Sequence, residues 1–144
     1  MTAPPTRPQR IAPLLGFALL LLLIPSRSGA GPGPDAARIS DIVGVAATTA
    51  PDGVVRVSWS RTDVALRVDG LAFRPRMGLG SWAAFQATPD GARVMGDTVV
   101  FEDEINPAID AALAAGLEVT ALHNHFLFDH RKVYFMHLGR RGRK

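Results

Sequence analysis

The sequence predicts an α+β domain, with a mainly antiparallel sheet of about five or six strands and one helix packed on one face of the sheet. Two observations support this fold class. Short segments rich in β-branched and aromatic residues recur along the chain, and turn sequences separate them. A single segment between two of these has helical apolar spacing with start and stop signals at its ends. No internal repeat is found.

Turn sequences bound the predicted strands. Pro51-Asp52-Gly53 precedes the first strand, and Asp69-Gly70 ends the second. Thr88-Pro89-Asp90-Gly91 connects the third and fourth strands as a hairpin. The predicted strands are Val54–Trp59, Val64–Val68, Ser81–Thr88, Ala92–Phe101, Leu117–Phe126 and Val133–Leu138.

The predicted helix lies between the fourth and fifth strands. Pro107 suits a first turn, and the acidic residues 102–104 favour the positive end of the helix dipole. Ile109, Ala112 and Leu113 form an apolar stripe with the spacing i, i+3 and i+4. Gly116 then follows as the residue that ends the helix in a left-handed conformation.

The N-terminal segment, residues 1–30, has the form of a secretory signal peptide. Arg7 provides a basic start, and the apolar run Leu14–Ile24 follows it. Ser28-Gly29-Ala30 matches a cleavage site of small residues. The apolar run is shorter than the roughly 20 residues of a membrane-spanning helix, and the chain has no cysteine for lipid attachment. We therefore expect an exported protein, secreted or in the periplasm or cell envelope, that is not a lipoprotein and has no membrane span after cleavage.

Composition divides the remaining chain. We expect a Gly/Pro-containing linker at residues 31–38, the folded domain at 39–139 and a basic disordered tail at 140–144. The basic pI of 10.2 comes from the two ends, because acidic residues outnumber basic ones between residues 31 and 139. A basic face for nucleic acid is therefore not expected.

The four histidines of the chain lie close together in sequence, at His123, His125, His130 and His137. In a strand, His123 and His125 project from the same side, about 7 Å apart. If the last two strands pair with His123 opposite His137, all three histidines share one face with the apolar residues 117, 119 and 121. His130 is expected to be a solvated loop residue. Neutral imidazoles on one face are typical of transition-metal sites, although hydrogen-bonded core histidines or exposed strand-end residues are the alternative.

A carboxylate or a water usually completes a three-histidine site. The candidates are Glu104 and Asp97, either of which is also the candidate general base. Asp97 lies within an apolar strand, where a carboxylate costs free energy unless it is paired or ligating. The acids 102–104 have an alternative role in matching the helix dipole. We therefore predict a divalent metal ion held by His123, His125, His137 and Glu104, and zinc is the ion that this set of ligands favours.

From residue 58 onward the chain resembles the DUF1259 (LppY/LpqO) family of exported bacterial proteins. The matching blocks are Arg61–Val64 with Val68–Gly70, Met77–Phe85, Val94–Asp97, Glu102–Pro107, Gly116–His125 and Val133–His137. The resemblance implies export but no activity, because the function of the family is unknown. Relatives tend to be longer, often with two copies of the domain, and some are lipoproteins. The resemblance therefore implies a single copy that is truncated at its C-terminus.

Two function classes remain open. The first is a cell-envelope protein without catalytic activity that binds a metal, a small ligand or an envelope component. The second is a secreted metal-dependent hydrolase that uses a metal-activated water. An open coordination position would favour the enzyme, since structural metal sites are closed. The glycine-containing segment Met77–Trp82 lacks a Walker or dinucleotide pattern, so no organic cofactor is indicated.

Overall fold

The computed structural model describes residues 33–89 and 91–140. In chain order the strands are β1 (Ala47–Thr49), β2 (Val55–Ser60), β3 (Leu66–Val68), β4 (Leu71–Phe73), β5 (Gly80–Thr88), β6 (Gly91–Phe101), β7 (Glu118–Asn124), β8 (Asp129–His130) and β9 (Val133–Arg140). The α-helices are α1 (Ala36–Val43) and α2 (Ile105–Ala114), and short 3-10 helices span Pro75–Met77 and Glu102–Glu104.

A six-stranded sheet in the order β1-β2-β5-β6-β9-β7 forms the centre of the fold, and a three-stranded sheet has the order β4-β3-β8. All strand pairs in both sheets are antiparallel. The α+β class is confirmed in outline. The second helix and the second sheet were not predicted, and the predicted strand Val64–Val68 belongs to the small sheet as β3.

Helix α1 begins inside the segment that the sequence indicated as a linker, three residues before the predicted start of the domain at Ile39. The Asp35 side chain accepts hydrogen bonds from two backbone N–H groups of the first turn, at 2.9 and 3.3 Å. Such a cap satisfies donors that an eight-residue helix would otherwise leave to solvent. Ile39 is buried against the sheet, and Gly44, at φ 71°, ends the helix.

Helix α2 ends as the sequence predicted. Gly116 adopts φ 73°, and its N–H donates to the Leu113 carbonyl at 2.9 Å. The Leu117 N–H donates to the Ala112 carbonyl at 2.9 Å. This pair of bonds is a Schellman motif, which turns the chain directly from the helix into β7.

The two faces of the large sheet have separate cores. Both α-helices pack on the first face, here called the helix face. Its buried residues include Val55, Val57, Ala83, Phe85, Val94, Val100, Met136 and Leu138 from the sheet, with Ile39, Ala108 and Ala112 from the helices. The small sheet covers part of the opposite face, which we call the open face because the rest of it has no covering element among the described residues. The buried residues of this second core are Leu66, Leu79, Val99, Phe101, Val133 and Phe135.

The pairing of β7 with β9 differs from the predicted register. His123 lies opposite Phe135, and Ala121 lies opposite His137, so the predicted pairing of His123 with His137 is wrong by two residues. The chain after His125 is drawn away from the hairpin, because Phe126 packs edge-on against Phe73 with ring centroids 5.0 Å apart. The predicted loop at 127–132 also contains β8, which pairs with β3.

A β-bulge in β7 decides which of its residues reach each face. Val119 lies opposite Leu138 and Ala121 lies opposite His137, so Thr120 is an extra residue in the ladder. Leu117 and Val119 therefore belong to the core of the helix face. The prediction that these two residues share a face with the histidines is wrong, because the bulge reverses the alternation after them.

A buried arginine joins the end of β2 to the start of α2. Arg61 is 5% exposed, and its guanidinium donates two hydrogen bonds to Glu104 and two to Asp63, at 2.8–3.0 Å. Glu104 also accepts from the Phe101 backbone N–H at 3.0 Å. Burial alone would lower the pKa of Arg61, but the hydrogen bonds that its guanidinium donates to Asp63 and Glu104 outweigh burial and raise the pKa. The charge is therefore retained and paired.

Replacing Arg61 by alanine should lower the free energy of unfolding by about 3–5 kcal/mol, because Glu104 would be left partly buried without its cation. Asp63→Asn should cost less than about 1 kcal/mol, because Asp63 is half exposed. Urea unfolding of both variants tests this order. The control is Arg93→Ala at an exposed position of β6, with an expected change within about 0.5 kcal/mol. A cost for Arg61→Ala no larger than that of the control would contradict the assignment.

Candidate metal centre

Three adjacent strands bring together the chemically active side chains on the open face. Asp97 on β6 lies directly opposite His137 on β9, and His137 lies directly opposite Ala121 on β7. His123 lies two residues beyond Ala121 and therefore projects from the same face. The two-residue error in register does not alter this, because side chains alternate with a period of two.

His123 and His137 are in direct contact. Their Nε2 atoms are 3.0 Å apart, and the ring planes are stacked at 26° with centroids 5.1 Å apart. Two imidazole ligands of a tetrahedral zinc ion, at Zn–N distances of about 2.0–2.1 Å, would have their nitrogens roughly 3.3 Å apart. The pair is therefore close to the separation that a shared metal ion requires.

The second nitrogen of each ring faces an acceptor. His123 Nδ1 lies 3.2 Å from the Asn124 carbonyl oxygen, which can only accept, so this nitrogen is the donor. His137 Nδ1 lies 3.8 Å from Asp97 Oδ1, within ion-pair distance. If both Nδ1 atoms carry the hydrogen, the two Nε2 lone pairs point at each other, and they need a proton or a metal ion between them. Metal-binding histidines have this arrangement, with a carbonyl or carboxylate behind each ring.

Asp97 is the carboxylate of this face. It is 9% exposed, and its Oδ1 is buried with no hydrogen-bond partner among the described residues. Burial raises the pKa of Asp97, while charge on His137, His123 or His125 opposes the increase. A cation beside the histidines would compensate the buried negative charge, as the position of Asp97 in an apolar strand suggested.

His125 lies beside the pair without contacting it. Its ring centroid is 6.5 Å from that of His123 and 4.1 Å from that of Phe135. Partial burial, and after it the charge of His123, lower the pKa of His125, which favours the neutral form that metals bind. Gly78 lies next to this ring, since a β-carbon on Gly78 would be in ordinary van der Waals contact with His125 Nε2, at 3.5 Å.

The other predicted residues lie elsewhere. Glu104 binds Arg61 and the Phe101 N–H, so it does not join the histidines. His130 is exposed, as expected, but it belongs to β8 rather than to a loop. Within the described ranges, no three His, Asp or Glu side chains are grouped closely enough to hold a metal ion in their present conformations. The structure thus brings together two of the predicted ligands, with His125 and Asp97 next to them.

Two residues near the site were missed by the sequence analysis as functional candidates. Trp82 on β5 lies directly opposite Asp97, in the same row as His137. The Arg56 guanidinium lies over the Trp82 ring, 4.1 Å from its centroid. They border an open cavity of about 280 Å³. The contact between Arg56 and Trp82 could have been predicted only from the register of β2 with β5.

Replacing Asp97 by asparagine should raise the unfolding midpoint of the metal-free protein at pH 8. A carboxylate with a raised pKa stabilises the fold only while it is protonated, and this contribution is lost as the pH rises through that pKa. Asp129→Asn is the matched control. Asp129 is buried too, but hydrogen bonds from Lys132 and from the Val133 N–H outweigh burial and lower its pKa.

The stability that comes from Asp129 is therefore present above its unfolded pKa and lost in acid, so Asp129→Asn should lower the midpoint at pH 8. Thermal melts in the presence of a chelator compare the two variants. A lower midpoint for Asp97→Asn would show that Asp97 already has a stabilising partner in the metal-free protein.

No helix in residues 33–89 and 91–140 is long and apolar enough to cross a membrane. Searches among characterised proteins and among solved structures found no match. A family profile, described as Domain of Unknown Function (DUF1259), matches residues 37–144, which include both sheets and all the residues of the candidate site. The resemblance seen in the sequence is therefore confirmed for the family as a whole, and the chain belongs to the DUF1259 family.

Proposed function

We propose that this is an exported cell-envelope protein that binds a divalent metal ion through His123 and His137, with zinc as the favoured ion. The observation that carries the proposal is the pair of imidazoles with Nε2 atoms 3.0 Å apart and an acceptor behind each ring. His125, two residues after His123 on the same face, is the third ligand after a side-chain rotation. Asp97 supplies the negative charge that orients His137 and balances the cation.

Zinc suits this set of donors. Imidazole nitrogens bind zinc, copper, nickel and iron, whereas magnesium and calcium prefer oxygen ligands. Without a cysteine in the chain, no thiolate competes for the metal. Glu104, which the sequence analysis favoured as the carboxylate, is committed to Arg61, so Asp97 takes that place in the proposal.

Exposure of the histidines favours a second candidate function, a secreted metal-dependent hydrolase. His123 and His125 are exposed, and the cavity beside Trp82 lies on the same face. A divalent ion there would lower the pKa of water into the neutral range. In that case Asp97 is the candidate general base, since it faces the histidines. Hydrolysis of 4-nitrophenyl esters of acetate and phosphate by zinc-loaded protein, compared with His123→Ala, distinguishes an enzyme from a binding protein.

Isothermal titration with Zn²⁺ should show about one ion per chain in the folded protein. His123→Ala should abolish this binding, and Asp97→Asn should weaken it by about 10–100-fold, as is typical when the group behind a histidine ligand is lost. Binding should also weaken as the pH falls through the imidazole range near 6.5, because protons compete for the ring nitrogens.

The matched controls for this titration are His130→Ala and Glu104→Gln. His130 is an exposed histidine on β8, so its loss should leave zinc affinity nearly unchanged. Glu104→Gln should reduce stability but not the zinc affinity of the folded fraction. The metal proposal is rejected if the wild type binds no zinc, or if His130→Ala matters as much as His123→Ala.

Export is a separate part of the proposal, supported by the sequence of residues 1–30, which lie outside the described residues. Expressed in a bacterium with its leader, the protein should be cleaved after Ala30, because the small residues at 28 and 30 fit a leader peptidase. N-terminal sequencing of the mature form measures this. A mature protein beginning at Met1 or Thr2 would exclude this leader.

A further inference from the structure

We propose that Arg56 and Trp82 form an anion-binding subsite beside the histidines, and that the ligand of this protein carries a phosphate or carboxylate group. This inference rests on the proposed function, because it describes the ligand that would meet the metal centre. The subsite lies on the open face, and the cavity of about 280 Å³ that it borders is also lined by Ser58, Ser60 and Gly80.

Arg56 is an arginine that is held in place but has no anionic partner among the residues that the structure describes. It is exposed on β2, and none of the ion pairs among the described residues involves it. Its guanidinium lies 4.1 Å from the centroid of the Trp82 ring, and its Nε donates to the Ser58 hydroxyl at 3.4 Å. Stacking on an aromatic ring restricts the long side chain, so less entropy is lost when an oxyanion binds. The remaining guanidinium N–H groups match the two oxygens of a carboxylate or phosphate.

The sheet register gives the distance between this subsite and the histidines. Trp82, Asp97 and His137 lie directly opposite one another on the adjacent strands β5, β6 and β9. Neighbouring strands are about 4.8 Å apart, so the backbones of Trp82 and His137 are separated by about 10 Å, and β2, which carries Arg56, lies one strand further from His137. A ligand that reaches both places therefore carries its anionic group about 10–15 Å, two to three strand spacings, from the group that meets the metal ion.

The contrast with three other arginines supports a binding role. Arg61 is fully paired with Glu104 and Asp63 inside the protein. Arg131 bonds to Asp103 and lies over Phe101. Arg67 donates to the Gly70 carbonyl at 2.7 Å and so stabilises a turn. Arg56 has neither a carboxylate nor a backbone carbonyl among its described contacts, and it faces the surface that holds the candidate metal ligands.

The subsite alone is tested with phenyl phosphate and metal-free protein, by NMR of the Arg56 Nε–H and Trp82 indole N–H signals. Both signals should shift on titration, and Arg56→Gln should weaken binding about tenfold, the loss of one charge-assisted interaction. Arg93→Gln, with the same change of charge on β6, should change affinity less than about twofold. Equal weakening by the two variants, no binding at all, or equal binding of uncharged phenol would overturn the subsite.

The separation is tested with zinc-loaded protein and an alkane bisphosphate whose phosphates lie about 10–15 Å apart. Zinc should tighten its binding more than that of phenyl phosphate, because one molecule then engages both places. The gain should disappear in Arg56→Gln and in His137→Ala. An equal effect of zinc on the two probes would overturn the stated separation.

The zinc titration of the same variants separates the two proposals. Arg56→Gln should bind zinc like the wild type. If zinc binds through His123 and His137 but the affinity for phenyl phosphate is unchanged in Arg56→Gln, the anion subsite alone is wrong. If phenyl phosphate depends on Arg56 but no zinc binds, the metal centre is wrong.

Discussion

The buried charge of Arg61 is the constraint on which the arrangement of the domain depends. A guanidinium that is almost fully buried must have its carboxylates close by, and here they come from the next turn of the chain and from residue 104. Since Glu104 also accepts from the Phe101 N–H, the carboxylate stays at the point where β6 ends and α2 begins. Helix α2 then starts where its small apolar residues reach the helix face. The opposite face remains available for chemistry.

The buried or partly buried carboxylates Glu104, Asp129 and Asp97 are of two kinds, and the difference between them points to the site. Glu104 and Asp129 each accept hydrogen bonds from a basic side chain and from a backbone N–H. The negative charge of each carboxylate is therefore paired within the protein. Asp97 is buried as deeply as Asp129, but one of its oxygens has no donor among the described residues. Folding alone does not account for a charge left in this state. A cation at the adjacent histidines would account for it.

The parts of the fold that could be predicted were those decided by neighbouring residues. The β5–β6 hairpin and the end of α2 follow from turn and cap residues that act within a few positions, and both were predicted. The small sheet and the β7–β9 register depend on contacts such as that between Phe126 and Phe73, which lie far apart in sequence. The Arg61–Glu104 pair is equally remote, so Glu104 looked free for metal binding. The prediction that the histidines share a face is correct although the predicted register is wrong, because the register error is an even number of residues.

The bulge at Thr120 has a consequence for how this family should be compared. It allows a strand that begins in the core of the helix face to present His123 on the opposite side of the sheet. If the same residues formed a regular ladder without the bulge, His123 and His125 would point at the helices, and Leu122 and Asn124 would take their places. The position of the histidines relative to Leu117 and Val119 thus depends on a bulge at a residue that contributes no side chain to the site. In an alignment of relatives, a one-residue gap opposite Thr120 would leave a regular strand that still presents the same histidines on the open face, so relatives are better compared by their histidines than by chain length at this position.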